Sequence, residues 1–285
     1  MKNEKLQAMI LMFFSCLSFS LMQIFVRLSS GSVPLTEQVF FRNLIGLFIA
    51  AAVLRIRKIS PAVIPGCRLA LFICSLFGFI GVFFLFYASA HARQADVSLL
   101  SRTSAVWVFI FQFFLGQKMT RTQVWVVILC LIGSVIAINP RFDSPVIPLL
   151  CACATSVCGG AGYTAIGYCR GKVDAFVVIF YFCLFSTLCA GIMMLRELVI
   201  PSGMLLAWLL LIGICAAAGQ ITLTYGLMKA TAGVGSIYEY FSIIISAVLG
   251  YLCFGEPLAL TTVIGSVFIV SGTVWNYLES RRLAE

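Results

Sequence analysis

Between Val126 and Ile138 the chain runs for thirteen residues without a charged side chain, and stretches of this kind recur along its length. A run that apolar cannot coat a water-soluble domain. It fits the hydrocarbon of a bilayer, where a crossing helix needs about 20 apolar residues. Composition agrees: 62% of the 285 residues are hydrophobic and 10% are charged, against about 25% charged in soluble domains. Mean hydropathy is +1.09. A soluble enzyme is excluded, and so is disorder, which needs low hydrophobicity and high charge. Only helices and closed barrels cross lipid, because every backbone polar group must be satisfied internally. A barrel would alternate apolar and polar residues over segments of about ten. These runs are continuous, so the expected fold is an all-α membrane protein.

Ten apolar segments can be drawn, at about 8–26, 38–54, 69–90, 97–115, 123–139, 146–168, 176–195, 204–228, 234–253 and 260–278. Ten spans of about 20 residues leave about 85 for loops and tails, so the loops are short. Met9 to Ile24 has no small-x-small cleavage site and is read as a retained first helix, not a secretory signal. Orientation follows from Lys and Arg. With the N-terminus inside, thirteen fall on the cytoplasmic side: Lys2, Lys5, Arg55, Arg57, Lys58, Arg68, Lys118, Arg121, Arg170, Lys172, Lys229, Arg281 and Arg282. Four fall outside, Arg27, Arg93, Arg141 and Arg196, while Arg42 and Arg102 lie within helices. Both chain ends are therefore expected in the cytoplasm and the protein in an inner membrane.

The net charge of +9 is spread over helix ends, so nucleic acid is not an expected partner. Almost all of the twelve cysteines lie inside apolar runs, where Cys packs as a small hydrophobe. Cys151, Cys153 and Cys158 have no His or carboxylate nearby in sequence, so neither a metal site nor a disulfide framework is expected. Gly159 to Gly162 is followed by no lysine. It is no phosphate loop, so ATP is not the direct energy source; close helix packing, or a hinge, is its expected role. His91, the single histidine, is read as interfacial. No cofactor is expected.

An internal repeat organises the chain. With residues 85–139 placed over 223–278, Tyr87 aligns with Tyr225, Ala92 with Ala230, Ser98 with Ser236 and Ser104 with Ser242, at an offset of 138. Gly116-Gln117 then aligns with Gly255-Glu256, and Gly133 with Gly272, at an offset of 139. Residues 1–140 and 141–285 are the expected halves. Five spans in each make the second half enter from the opposite side, an inverted-topology repeat of the kind used by secondary transporters.

On these residues the sequence resembles the EamA type of the drug/metabolite transporter superfamily. Ser246 to Glu256 resembles that family's ninth-helix ending, and Ile264-Gly265 and Gly272 its tenth helix. Glu239-Tyr240 resembles a pattern of one branch, and Arg42 in Phe40-Phe41-Arg42 matches an Arg common in the second helix. Gln117 stands where the first repeat would carry an acidic residue, and the proline often seen early in helices four and nine is absent. The resemblance implies a ten-helix transporter of small organic solutes, with a central cavity lined by both repeats.

Charges inside lipid cost about 2.5–3.5 kcal/mol on insertion scales, which makes interior ones functional candidates. Glu239 is the one carboxylate well inside an apolar segment. It holds an amino group or carries a coupling proton, or else it pairs with a fixed cation to position helices. Arg102 holds a substrate carboxylate or snorkels to the outer interface. Counting helical rise puts the two roughly 13 Å apart along the membrane normal, a separation that matches a solute charged at both ends; whether they contact substrate, each other or other charges stays open. Arg42 is a second anion contact or outer-gate residue, or else a structural partner of Glu37 or Asp96 or an interfacial anchor. Gln220 donates to a solute or to another helix. Tyr87, Trp107, Tyr163, Tyr225, Tyr238 and Tyr240 are candidates for an aromatic cavity wall, and Tyr238 and Tyr240 are preferred because they flank Glu239.

The expected function is secondary transport of a zwitterionic metabolite, an amino acid or derivative, by alternating access, with protons as a candidate coupling ion and a monomer or homodimer as the unit. The alternative is efflux of cationic or aromatic drugs, or exchange of a sulfonium or quaternary amine, with Arg102 irrelevant.

Overall fold

The computed structural model describes residues 2–29, 31–63, 65–92, 94–116, 120–139, 145–195, 203–255 and 259–282. Arg93, Gln117, Lys118, Arg141, Arg196 and Glu256, all used in the sequence reading, lie outside the described residues. Among the described residues every regular element is helical: α1 (Lys2–Ser29), α2 (Leu35–Ile56), α3 (Arg68–His91), α4 (Gln94–Arg102), α5 (Ser104–Phe114), α6 (Arg121–Ile138), α7 (Val146–Tyr168), α8 (Ala175–Met194), α9 (Met204–Lys229), α10 (Ala232–Ile237), α11 (Phe241–Phe254) and α12 (Leu260–Arg282). Short 3₁₀ turns precede α3 and separate α10 from α11. Ten helical stretches are long and apolar enough to cross a membrane. Large apolar side chains such as Phe48, Trp125, Ile192 and Leu252 are exposed on the outside of the bundle, as lipid-facing positions require.

Helix starts follow local chemistry. Thr120 and Gln123 exchange side-chain-to-backbone bonds in a capping box that opens α6. The Asp174 carboxylate accepts from Phe176 N at 2.8 Å to open α8.

The packing pattern occurs twice. α1 lies along α9 and α7 along α3; α2 packs on α9 and α8 on α3; α11 meets α1 and α5 meets α7; α2 pairs with α8 and α6 with α12. Exchanging the first five spans for the last five turns each contact into its counterpart. Two bonds repeat as well. Ser15 Oγ donates to Gly219 O at 3.0 Å across α1 and α9, and Thr155 Oγ1 donates to Gly81 O at 3.2 Å across α7 and α3. Small residues allow such approaches in lipid. A Cβ on Gly133 would sit 2.7 Å from Phe268 Cβ and 2.9 Å from Gly265 O, so α6 and α12 meet backbone to backbone there.

The fourth and ninth spans differ from the expected single helices. The fourth is interrupted at Thr103, between α4 and α5, and the ninth by the 3₁₀ turn Tyr238–Tyr240. At the repeat offset of 138, Thr103 corresponds to Phe241, so the interruptions fall at equivalent places. No proline causes them. Hydroxyls compete for the backbone instead. Ser101 Oγ and Thr103 Oγ1 donate to Ser98 O and Leu100 O at 3.1 and 2.7 Å. In the ninth span Ser236 Oγ and Ser242 Oγ donate to Gly233 O and Glu239 O at 3.0 and 2.6 Å. The Cys16 thiol of α1 lies 3.6 Å from Tyr238 O and 3.7 Å from Glu239 O, adding weak donors to the carbonyls of the turn.

Candidate functional site

The interruptions bring Arg102 and Glu239 together. Arg102 Nη1 is 3.5 Å from Glu239 Oε2. The expected 13 Å offset is therefore corrected. α4 begins at Gln94 and α10 at Ala232, earlier than the 97 and 234 used for the count. Each residue is thus deeper, by about 1.5 Å per added helical position and about 2 Å per residue through the 3₁₀ turn. The long Arg102 side chain spans what remains. Glu239 is 4% exposed. Its other carboxylate oxygen, Oε1, accepts from the Tyr163 hydroxyl of α7 at 2.7 Å. Both oxygens are thus engaged, by a phenol from the second half and a guanidinium from the first.

Tyr163 is the partner that sequence reasoning ranked too low. Tyr238 and Tyr240 stood out because they are adjacent to Glu239, yet neighbours in a helix or 3₁₀ turn point about 100–120° apart. The structure sends Tyr238 into an apolar cluster with Met12, Leu71, Ala165 and Leu227. Tyr240 goes into another, with Ala105, Phe109, Val126, Cys130 and Ile269. What marked Tyr163 was its setting: an isolated phenol beside small residues, Gly159, Gly160, Ala161 and Gly162, that let neighbouring helices approach. Trp107 of α5 provides one such approach, because a Cβ on Gly160 would stand 2.5 Å from its own. Gln220 is buried on α9, where that helix packs on α1 and α2.

Arg42 is also buried, 6% exposed. Its Nη1 donates to Asn43 Oδ1 at 3.0 Å, and Asn43 is fixed in turn by its Nδ2 donating to Val39 O at 2.8 Å. The guanidinium lies 5.9 Å from the centre of the Phe182 ring and within electrostatic reach of Tyr163. The expected pairing with Glu37 or Asp96 does not form. Arg102 and Glu239 form an ion pair in the interior.

A cavity of about 680 Å³ opens between the end of α1, the start of α2, the end of α3, the start of α4 and the second half of the ninth span. Ser20, Gln23, Gln38, Ser89, Ser98 and Ser246 supply polar wall, and Arg27 and His91 lie near the mouth. His91 Nδ1 is 2.9 Å from Tyr87 O, and its ring stacks on Tyr87 with centroids 4.4 Å apart. Gln38, Ser98 and Ile243 line the cavity, and they stand four residues from Arg42, Arg102 and Glu239 respectively. Chain direction makes each charged residue the deeper of its pair. The charged layer therefore lies one helical turn, about 6 Å, beneath the cavity wall. None of Arg42, Arg102, Trp107, Gln220, Tyr238, Glu239 and Tyr240 lines the cavity itself.

At the opposite end stand several basic side chains, each on its own partner. Lys229 Nζ donates to Gln7 Oε1 at 2.8 Å, Arg57 lies 5.3 Å from the Phe176 ring centre, and Lys172 lies 3.6 Å from the Tyr168 ring centre.

Comparison with known proteins points one way. The sequence pattern of the EamA-like transporter family matches twice, over residues 6–139 and 146–278. The Pseudopaline exporter CntI of Pseudomonas aeruginosa is 28% identical over 260 residues, 89% of this chain and 89% of that protein. The Saccharomyces cerevisiae protein named "Probable transport protein YPL264C" is 27% identical over 241 residues, 73% of this chain and 67% of that protein. One solved crystal structure superposes with a TM-score of 0.80, covering 98% of this chain and 99% of its own. At 22% identity that likeness speaks to fold alone.

Proposed function

We propose a function from one premise: the chain belongs to the EamA-like transporter family, and is a multi-pass membrane transporter of small molecules, not an enzyme. Our reading is that it exports a metabolite bearing amino and carboxylate groups, an amino acid or derivative, across an inner membrane by alternating access. Export is favoured by the exporter among its relatives. The observation that carries the chemistry is the buried Glu239, held by Tyr163 at 2.7 Å and by Arg102 at 3.5 Å beneath a polar cavity. In this reading cargo enters the layer and exchanges with that pair, its carboxylate replacing Glu239 on Arg102 and its amino group replacing Arg102 on Glu239. Such an exchange keeps charges compensated in a medium where an unmatched ion is costly. Glu239 is also the residue assigned to carry a coupling proton.

Residues 1–140 and 141–285 act here as two five-span halves placed head to foot, a reading supported by the doubled packing pattern and the paired interruptions of the fourth and ninth spans. Both chain ends are placed in the cytoplasm, with the basic side chains of Lys172, Lys229 and Arg57, so that the cavity faces outward. Efflux of cationic drugs fits less well, because two guanidiniums and one carboxylate form the layer.

The test is a thermal-shift screen of the purified protein against amino acids, nucleosides, sulfonium compounds and quaternary amines, since a true cargo stabilises by mass action. Stabilisation by amino acids or their derivatives, lost in Glu239→Gln and in Arg102→Gln, is expected. Stabilisation by quaternary amines that survives Arg102→Gln would overturn the reading.

A further inference from the structure

We infer that the cargo carries more negative than positive charge, with a second carboxylate that binds the Nε edge of Arg42. The inference rests on the amino-acid reading above and names the cargo class more narrowly.

Arg102 and Glu239 compensate each other at 3.5 Å, and Arg42 remains, 6% exposed and without a carboxylate at ion-pair distance among the described residues. A guanidinium does not shed its proton inside a protein. A buried charge with no counter-ion costs several kcal/mol, a cost retained in lipid mainly where function needs it. Glu37 and Asp96 are buried too, but each has interactions of its own. They stand five residues before Arg42 and six before Arg102, toward the cavity mouth.

Donor arithmetic gives the same answer. Both Glu239 oxygens are engaged, by the Tyr163 hydroxyl and by Arg102. Arg42 Nε and Arg102 Nε are both buried without an acceptor. The Asn43 side-chain carbonyl accepts from Arg42 Nη1, while Arg42 Nε has no acceptor. That edge takes a carboxylate through charge-assisted bonds. One turn toward the cavity, the buried Gln38 Oε1 is an acceptor without a donor, on the route by which the cargo amino group reaches Glu239. With the first carboxylate on Arg102 and the amino group on Glu239, the unclaimed Arg42 edge makes the layer complementary to a molecule with two carboxylates and one amino group.

L-glutamate and L-glutamine differ by one carboxylate at nearly equal size, so they are the probes. Their dissociation constants are measured on the full chain in lipid nanodiscs, together with the melting temperature of the unliganded protein. Glutamate is expected to bind about tenfold tighter than glutamine, the scale of one hydrogen bond to a charged group. Arg42→Gln removes that preference, weakening glutamate about tenfold more than glutamine, and melts no lower than the parent protein, because it removes an uncompensated charge. Arg42→Lys retains part of the preference. Equal binding of the two probes overturns the inference and leaves the amino-acid reading standing. A preference that survives Arg42→Gln, or a lowered melting temperature with both probes weakened alike, overturns it as well and assigns Arg42 a structural role. Binding of neither probe overturns the amino-acid reading and the inference with it.

Discussion

The coupling between Arg102 and Glu239 is open to a double-mutant cycle. Their closest atoms are 3.5 Å apart in the buried centre of the bundle. Coulomb attraction at that distance is on the order of 5 kcal/mol with an effective dielectric constant of about 20. Desolvation offsets much of this in the intact pair, but removing one partner leaves the other charge buried alone, at a cost of about 3–5 kcal/mol. Glu239→Gln and Arg102→Met keep most of the side-chain volume, so the electrostatic contribution dominates. Each single variant is expected to lower unfolding free energy by that amount in reversible denaturant unfolding from mixed micelles. The double variant carries no stranded charge and should lose at least about 2 kcal/mol less than the sum of the singles, within the range measured for coupled neighbours. Additive losses would refute the reasoning, since they would mean that the two charges do not feel each other in the folded protein.

Other consequences are as specific. Tyr163→Phe keeps the ring but removes the 2.7 Å bond to Glu239; a loss of about 1.5–3 kcal/mol is expected for a bond to a charged group, and a loss below about 0.5 kcal/mol in the same unfolding assay would contradict the geometry. Gly133→Ala forces a Cβ to 2.7 Å from Phe268 and should destabilise by about 1–3 kcal/mol through overpacking. Gly162→Ala, which meets nothing within 4 Å, should be neutral or stabilising by up to about 1 kcal/mol through helix propensity. Thermal melting of the two variants side by side decides this, and equal losses would count against the close approach of α6 and α12.

The ten spans were legible because each is a long continuous apolar run, and of the two structures that satisfy the backbone in lipid only the helix matches runs without alternation. Glu239 and Arg102 were legible for the converse reason: a charge in such a run is rare. Their contact was not. It depends on where each helix starts and on two interruptions that no proline announces, and hydroxyl-to-backbone bonds at Ser101, Thr103, Ser236 and Ser242 are indistinguishable in sequence from ordinary packing polar groups. Adjacency misdirected attention to Tyr238 and Tyr240, since sequence neighbours leave a helix on different faces. Tyr163 lies 76 residues from Glu239, and only the packing of α7 against the ninth span reveals it. The isolation of Arg42 was equally hidden, because Glu37 lies five residues away in sequence and looked like a partner.

Transport as proposed needs two five-span halves lying head to foot around the charged layer, with both tails on one face and the cavity open on the other. Impermeant maleimide labelling of single cysteines in a cysteine-free background measures this in intact cells. A cysteine replacing Ser246 in the cavity wall should react from outside, while cysteines placed near either chain end should react only after the membrane is permeabilised. Chain ends labelled from opposite faces, or a residue-246 cysteine that reacts only after permeabilisation, would contradict it.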